Sequence, residues 1–201
     1  MSANDNGERL APVTLTGRFV RLEPLALSHL DDLCAVGLDP ELWRWIPNQV
    51  TTREDMRGYI ETALREQKAG VSLPFAVVHL ESGRAIGSTR YGNVNLPNRR
   101  AEIGWTWYGR HYQRSAVNTE CKLLLLTHAF ETLGLIRVEF KTDALNEKSR
   151  NALARIGATQ EGIFRNHLIC HSGRIRDTVY FSILDTEWPE KKRALEARLE
   201  H

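Results

Sequence analysis

The chain reads as a single α/β domain built on a mixed, mostly antiparallel sheet with helices on both faces. Three observations lead there. Segments of strand period and helix period alternate along the whole length. Three consecutive strand patterns separated by short turn signals make an antiparallel meander. After that meander, a strand, a loop, a helix and a second strand follow in order, which requires a crossover and hence a parallel pair. At 201 residues the chain is long enough for one well-cored domain and short for two.

In chain order, Thr16 to Pro24 predicts the first strand, because Phe19, Arg21 and Glu23 alternate with Val20 and Leu22. Ser28 with Asp31 has the form of a helix start, Leu30, Leu33 and Val36 make an apolar stripe, and Gly37 is placed to end it. A second amphipathic helix starts at the capping-box pair Thr51 and Glu54 and carries Met56, Tyr59, Ile60, Ala63 and Leu64 to Gly70. Between them, Trp43-Arg44-Trp45-Ile46-Pro47 has two readings, core packing or the wall of a pocket. The meander comprises Pro74 to Leu80, Ala85 to Tyr91 and Ala101 to Tyr108, with turns at Ser82-Gly83 and from Asn93 to Asn98. Leu124, Leu125, Ala129 and Leu133 then share a helix face closed by Gly134, and Ile136, Val138 and Phe140 alternate with Arg137, Glu139 and Lys141 as strand. Asn146 caps a helix through Ser149 and Leu153 to Ile156, ended by Gly157. Glu161 to Cys170 and Arg174 to Leu184 form a hairpin about Ser172-Gly173.

A net charge of +2, with 42% hydrophobic and 26% charged residues, is that of an ordinary globular domain. Residues 1–14 are expected as a flexible segment, 15–188 as the domain, 189–198 as a helical tail, and Leu199-Glu200-His201 as the remnant of an expression tag. Met1 to Pro12 lacks the order of a secretory signal, and the longest apolar run, Leu123 to Leu126, is too short to cross a bilayer, so no membrane partner is expected. Cys34, Cys121 and Cys170 are odd in number and scattered, which fits reduced thiols and a cytoplasmic location. Arg99, Arg100, Arg110 and Arg114 come with no nucleic-acid motif and little net charge, so no nucleic-acid partner is expected either. No metal is expected. His167, Cys170 and His171 offer no ligand geometry, since adjacent strand residues point to opposite faces, and Cys170 with His171 fails as a nucleophile and base for the same reason.

The segment from Glu102 to Thr119 carries the chemistry. A strand ending at Tyr108 leads through Gly109 to Ser115 into a helix starting near Asn118, so free amides and the positive end of the helix dipole face the loop. With Arg110, His111 and Arg114 beside them, these amides outline a pyrophosphate site; loops of this shape also occur without ligands, and both readings stand.

These residues resemble the GNAT superfamily of N-acetyltransferases, most closely its RimJ/RimL-like branch. Further matching stretches are Ala101-Glu102-Ile103-Gly104-Trp105, the loop from Gln113, Asn146 with Ser149, Arg155-Ile156-Gly157-Ala158 and Glu161-Gly162-Ile163-Phe164-Arg165. The likeness runs from Leu15 to about Trp188. It implies a sheet that splays beside the strand Glu102 to Tyr108, with the pantetheine arm of acetyl-CoA in the gap and Trp105, Thr106 and Trp107 supplying the open backbone edge. Gln113, Arg114, Ser115, Ala116, Val117 and Asn118 would be the pyrophosphate loop. Ala116 stands where the family has glycine, and Asn118, where it has glycine or alanine, could serve as a helix N-cap.

Glu102 resembles the residue that often acts as base through water; the other reading is a surface carboxylate facing Arg99 or Arg100. Leu153 occupies the position of the tyrosine that many relatives use as acid. Ser149, one turn earlier, is then the group implied to protonate or hydrogen-bond the coenzyme sulfur, unless it only sits behind the Asn146 cap. Asn146 is implied to touch the pantetheine arm, and Trp43, Trp45 and Asn166 to border the acceptor groove. The implied activity is direct transfer, in a ternary complex, of acetyl from acetyl-CoA to a primary amine, either a protein N-terminal α-amine or a small amine. The competing class is a non-catalytic acyl-CoA-binding or regulatory module. Homodimers are common in that branch, and the expectation of one here rests on the resemblance alone.

Overall fold

The computed structural model describes residues 10–46 and 48–200; the flexible segment expected at the N-terminus lies mostly outside that range, as do Pro47 and His201 of the expected tag remnant. Strands β1 (Leu15–Thr16) and β2 (Val20–Pro24) open the chain, followed by helices α1 (Leu30–Gly37), α2 (Pro40–Trp43) and α3 (Arg53–Lys68). The meander is β3 (Leu73–His79), β4 (Arg84–Asn95) and β5 (Arg100–Tyr108). Helix α4 (Ala116–Thr127) runs on through a π-helical turn at His128–Thr132 to β6 (Arg137–Asp143). After α5 (Glu147–Arg155), the hairpin β7 (Thr159–Ile169) and β8 (Ile175–Leu184) leads to α6 (Trp188–Leu199).

The strands form one eight-stranded sheet in the order β1-β2-β3-β4-β5-β6-β8-β7. Only β5 and β6 pair in parallel, as the crossover through α4 requires. Alternation along the strands feeds two cores. Phe75, Val77, Ile86, Ile103 and Phe140 face Val117, Cys121 and Leu125 of α4, Leu153 and Ile156 of α5, and Leu195 of α6. On the other face Ala76, Val78, Ala85 and Trp107 meet Leu33 of α1, Trp43 of α2, and Met56, Tyr59 and Ile60 of α3.

Several boundaries differ from the sequence reading, each for a local reason. The strand expected over Thr16 to Pro24 is broken, because the amides of Arg18, Phe19 and Val20 all donate to the buried Glu120 carboxylate at 2.6–2.8 Å. The capping box of α3 is Thr52 with Asp55, one residue later than expected, and Asp55 also accepts from the Thr51 amide at 3.0 Å. Helix α1 starts at Leu30 after a 3-10 turn over Leu27–His29, where the Ala26 amide donates to His29 Nδ1 at 3.1 Å. Helix α4 starts two residues before Asn118, capped by Ser115. Asn146 does cap α5, and Gly134, Gly157 and Gly173 take the positive φ their turns need.

Candidate active site

The sheet opens between β5 and β6. Their ladder joins only Arg100–Glu102 to Arg137–Glu139, after which β5 continues to Tyr108 with β4 alone as its neighbour. The edge of β5 from Gly104 to Tyr108 that faces β6 therefore lacks a strand partner, and its polar groups can pair with an extended ligand. A bulge adds to this: the register against β4 shifts between Ser88 and Arg90, and Trp105 is held at φ +50°, a conformation costly for a bulky side chain. Trp105, Thr106 and Trp107 all lie on this stretch, although the Trp107 ring itself is buried in the second core.

At the mouth of the opening, Ser115 Oγ accepts from the Val117 amide at 3.3 Å and donates to the Tyr112 carbonyl at 2.7 Å, turning the chain into α4. The left-handed residue of this loop is Arg114, at φ +60°, with its side chain exposed. Ala116 is the first residue of the helix, so its methyl group meets no demand for positive φ. Asn118 Oδ1 accepts from the Tyr108 hydroxyl at 3.3 Å, and Gln113 Nε2 donates to the Tyr108 carbonyl at 3.2 Å. Arg110, one of the cations counted for the loop, is instead ion-paired with Asp39.

Glu102 and the helix that carries Ser149 lie on opposite faces of the sheet. Ala101 and Ile103 point into the first core, so Glu102 points to the α1–α3 face, where it is 6% exposed. Its carboxylate accepts from Asn93 Nδ2 at 2.6 Å and pairs with Lys141 Nζ at 2.7 Å. Its partner is thus Lys141 and neither of the arginines anticipated: Arg99 donates to the Gly134 carbonyl and Arg100 pairs with Glu139. Burial works against the Lys141 ammonium, yet the hydrogen bond and charge of Glu102 outweigh it and hold that amine above its ordinary value. Ser149 sits on α5, which packs through Leu153 and Ile156 into the opposite core. Its amide donates to Asn146 Oδ1 at 3.1 Å, leaving the hydroxyl free of any partner among the described residues.

A cavity of about 450 Å³ lies between α2, the loop after β6 and the β7–β8 turn, lined among others by Trp45, Gln49, Leu145, His171 and Arg174. Trp45 is stacked under two guanidiniums, Arg44 at 5.0 Å and Arg174 at 5.5 Å from the ring centre. Trp43 backs the cavity from the core: its ring is 0% exposed, packs on Tyr59 and Trp107, and donates through Nε1 to the Gly37 carbonyl at 2.7 Å. Asn166 is not among the lining residues; it sits in β7 at φ +50° with its amide donating to Asp177 at 2.7 Å. Sequence reasoning missed Asp143, which is buried and ion-paired with Arg174, and Lys122, buried on α4. The signal for Lys122 was a lone cation inside the apolar run from Cys121 to Leu126. The three cysteines are free, and no His/Cys/Asp/Glu cluster fit for a metal occurs among the described residues.

A sheet that parts beside a bulged strand, with a helix N-terminus at the mouth of the gap and a carboxylate at its edge, is the architecture that marks the class of this protein, an acyltransferase. Residues 20–159 match the family described as "Acetyltransferase (GNAT) domain", and the chain belongs to that family. It is 37% identical over 113 residues to YdaF of Bacillus subtilis strain 168, assigned by name as a ribosomal N-acetyltransferase; the match spans 56% of this chain and 61% of YdaF. The crystal structure of a GCN5-related N-acetyltransferase from Brucella melitensis is 34% identical, covering 95% of this chain and 87% of that one, with a TM-score of 0.88. Mycobacterium smegmatis RimJ, solved in complex with CoA-disulfide, shares the fold at 24% identity and a TM-score of 0.81, covering 93% of this chain and 95% of its own.

Proposed function

We propose that the chain moves acetyl from acetyl-CoA directly to a primary amine that reaches Glu102 through the cavity at Trp45. The observation that supports this reading is the parting of β5 from β6 after Glu102, with Glu102 on one face of the sheet and the Ser149-bearing helix on the other. The open edge from Trp105 to Trp107 would take the pantetheine arm, with Asn146 nearby at the start of α5, and the amides behind Ser115 would take the pyrophosphate. Acetyl-CoA supplies the activated acyl group. Glu102 accepts the proton released by the amine, through water, while Ser149 donates a hydrogen bond toward the departing sulfur.

The base favours an acceptor of modest pKa. An α-amine near pKa 8 is neutral about one time in ten at pH 7, so its deprotonation costs about 1.4 kcal/mol, against about 4.6 for a lysine side chain. Glu102 is already held in an ion pair with Lys141, which suits the acceptor that needs the least help. A protein N-terminus is therefore the preferred acceptor, in keeping with the name of YdaF, and a small amine is the second choice. Coenzyme release measured across peptide N-termini and small amines tests this. Turnover with α-amine peptides is expected; coenzyme binding without turnover on any amine would make the chain a binding module, a reading that Leu153 in place of a tyrosine keeps open.

A further inference from the structure

We infer that Lys122 is the cation that meets the departing sulfur of the coenzyme. The inference rests on the acetyl-transfer reading above. Lys122 is 6% exposed on α4, and its Nζ lies 3.3 Å from Thr106 Oγ1 and 5.5 Å from the centre of the Phe140 ring. Thr106 belongs to the β5 stretch without a β6 partner, and Phe140 lies on β6 beyond its last pair with β5. The ammonium therefore lies over the place where the two strands part, on the α4–α5 face, across the sheet from Glu102.

A buried ammonium normally has a carboxylate beside it, because removing a charge from water costs several kcal/mol unless it is paired. Lys122 has no ion pair among the described residues, and Thr106 Oγ1 takes one of its three donors. The neighbours do not compensate. On α4, Glu120 turns its carboxylate to the turn between β1 and β2, and the Cys121 thiol is pushed up to about 12 by burial. From β5 come the Thr106 hydroxyl and the Tyr108 phenol, which burial pushes well up, and from β6 an aromatic ring. Burial lowers Lys122 itself to about 8. An unpaired cation retained in the opening, at a cost in stability, calls for a negative charge that arises there during the reaction, and a thioester that breaks supplies one on sulfur.

The step balances. The amine nitrogen bonds to the carbonyl carbon, the carbon–sulfur bond breaks with its electron pair on sulfur, and Lys122 Nζ gives that sulfur a proton. The proton lost by the new amide leaves through Glu102, and exchange with water resets both groups. An acid with a pKa near that of the thiol, about 8.5 when free, is matched to this transfer. It fills the place left by Leu153.

The test uses free CoA and the whole protein, following the ultraviolet absorbance of the bound thiolate against pH. In the wild type the bound thiol should ionise about one pH unit or more below the free one, and in Lys122→Met that shift should vanish. In turnover, Lys122→Met should lose about ten- to a thousandfold in kcat with KM for acetyl-CoA changed less than about threefold, and the fall of wild-type kcat above pH about 8 should disappear. Calorimetric CoA binding separates the two readings: no binding to the wild type sinks acetyl transfer, whereas binding with an unshifted thiol sinks the role of Lys122. A Thr106→Val variant that reproduces the whole loss, with the high-pH fall kept in both variants, would mean Lys122 only holds Thr106 and would also overturn it.

Discussion

At the scale of single residues, the proposed division of labour makes separate demands on Glu102 and Ser149. Glu102→Gln should lower turnover at pH 7 by no more than about a hundredfold, and the loss should shrink toward pH 9, where an α-amine acceptor is already neutral. A defect equally large at both pH values would mean that Glu102 positions the acceptor. Ser149→Ala should cost about tenfold in kcat if its hydroxyl contributes one hydrogen bond to the sulfur, with coenzyme affinity kept; a Kd for CoA that rises in step with the loss would return Ser149 to a binding or capping role. Both positions are proposed from local sequence patterns. Lys141, Asp143 and Arg174 stand in no such pattern, since their partners come from other strands and are set by sheet register. Glu102 pairs with Lys141 only because Glu102 and Glu139 face each other across the parallel ladder, which puts Lys141 two residues on, on the same face.

At the scale of elements, period and punctuation found the helices and the meander, and failed where a distant side chain overrides local pattern. The break between β1 and β2 is such a place. Glu120, a hundred residues away on α4, is the acceptor for three successive amides, and Gly17 leaves room for it, since a Cβ there would stand 2.3 Å from the Glu120 carboxyl carbon. No windowed reading of Thr16 to Pro24 contains that partner. Glu120→Gln puts an amide NH2 where one carboxylate oxygen accepts, so donors face donors. The change should destabilise the protein by roughly 3 kcal/mol, read as a lower urea midpoint with an unchanged slope. Ser115→Ala removes the cap of α4 and should cost about 1 kcal/mol. If Glu120→Gln cost no more than Ser115→Ala, the carboxylate would not be what holds the turn.

At the scale of the whole molecule, two cores clamp the sheet from either face, and the gap between β5 and β6, the proposed coenzyme site, interrupts it. Acetyl-CoA bound there should add about 2.7 kcal/mol at a hundred times its Kd, which for a chain of this size is a rise of roughly 5–10 °C in Tm. Lys122 is buried beside that gap without an ion pair among the described residues, and its cost has a pH signature. Unfolded, Lys122 keeps its proton up to about 10.5; folded, burial lowers that to about 8. Between those values the unfolded chain binds more protons than the folded one, so this group makes stability rise with pH across the interval. Below about 8 the folded state carries the full penalty, on the order of 3 kcal/mol, and above about 10.5 it carries none. Lys122→Met, which keeps the chain length and removes the charge, should therefore be more stable than the wild type at pH 7. The difference in unfolding free energy should close by roughly 2–3 kcal/mol as pH is raised from 7.5 to 10. Parallel stability curves for the two proteins over that range would mean that the ammonium is already compensated in the fold, and a cation so compensated has no charge to spare for the sulfur.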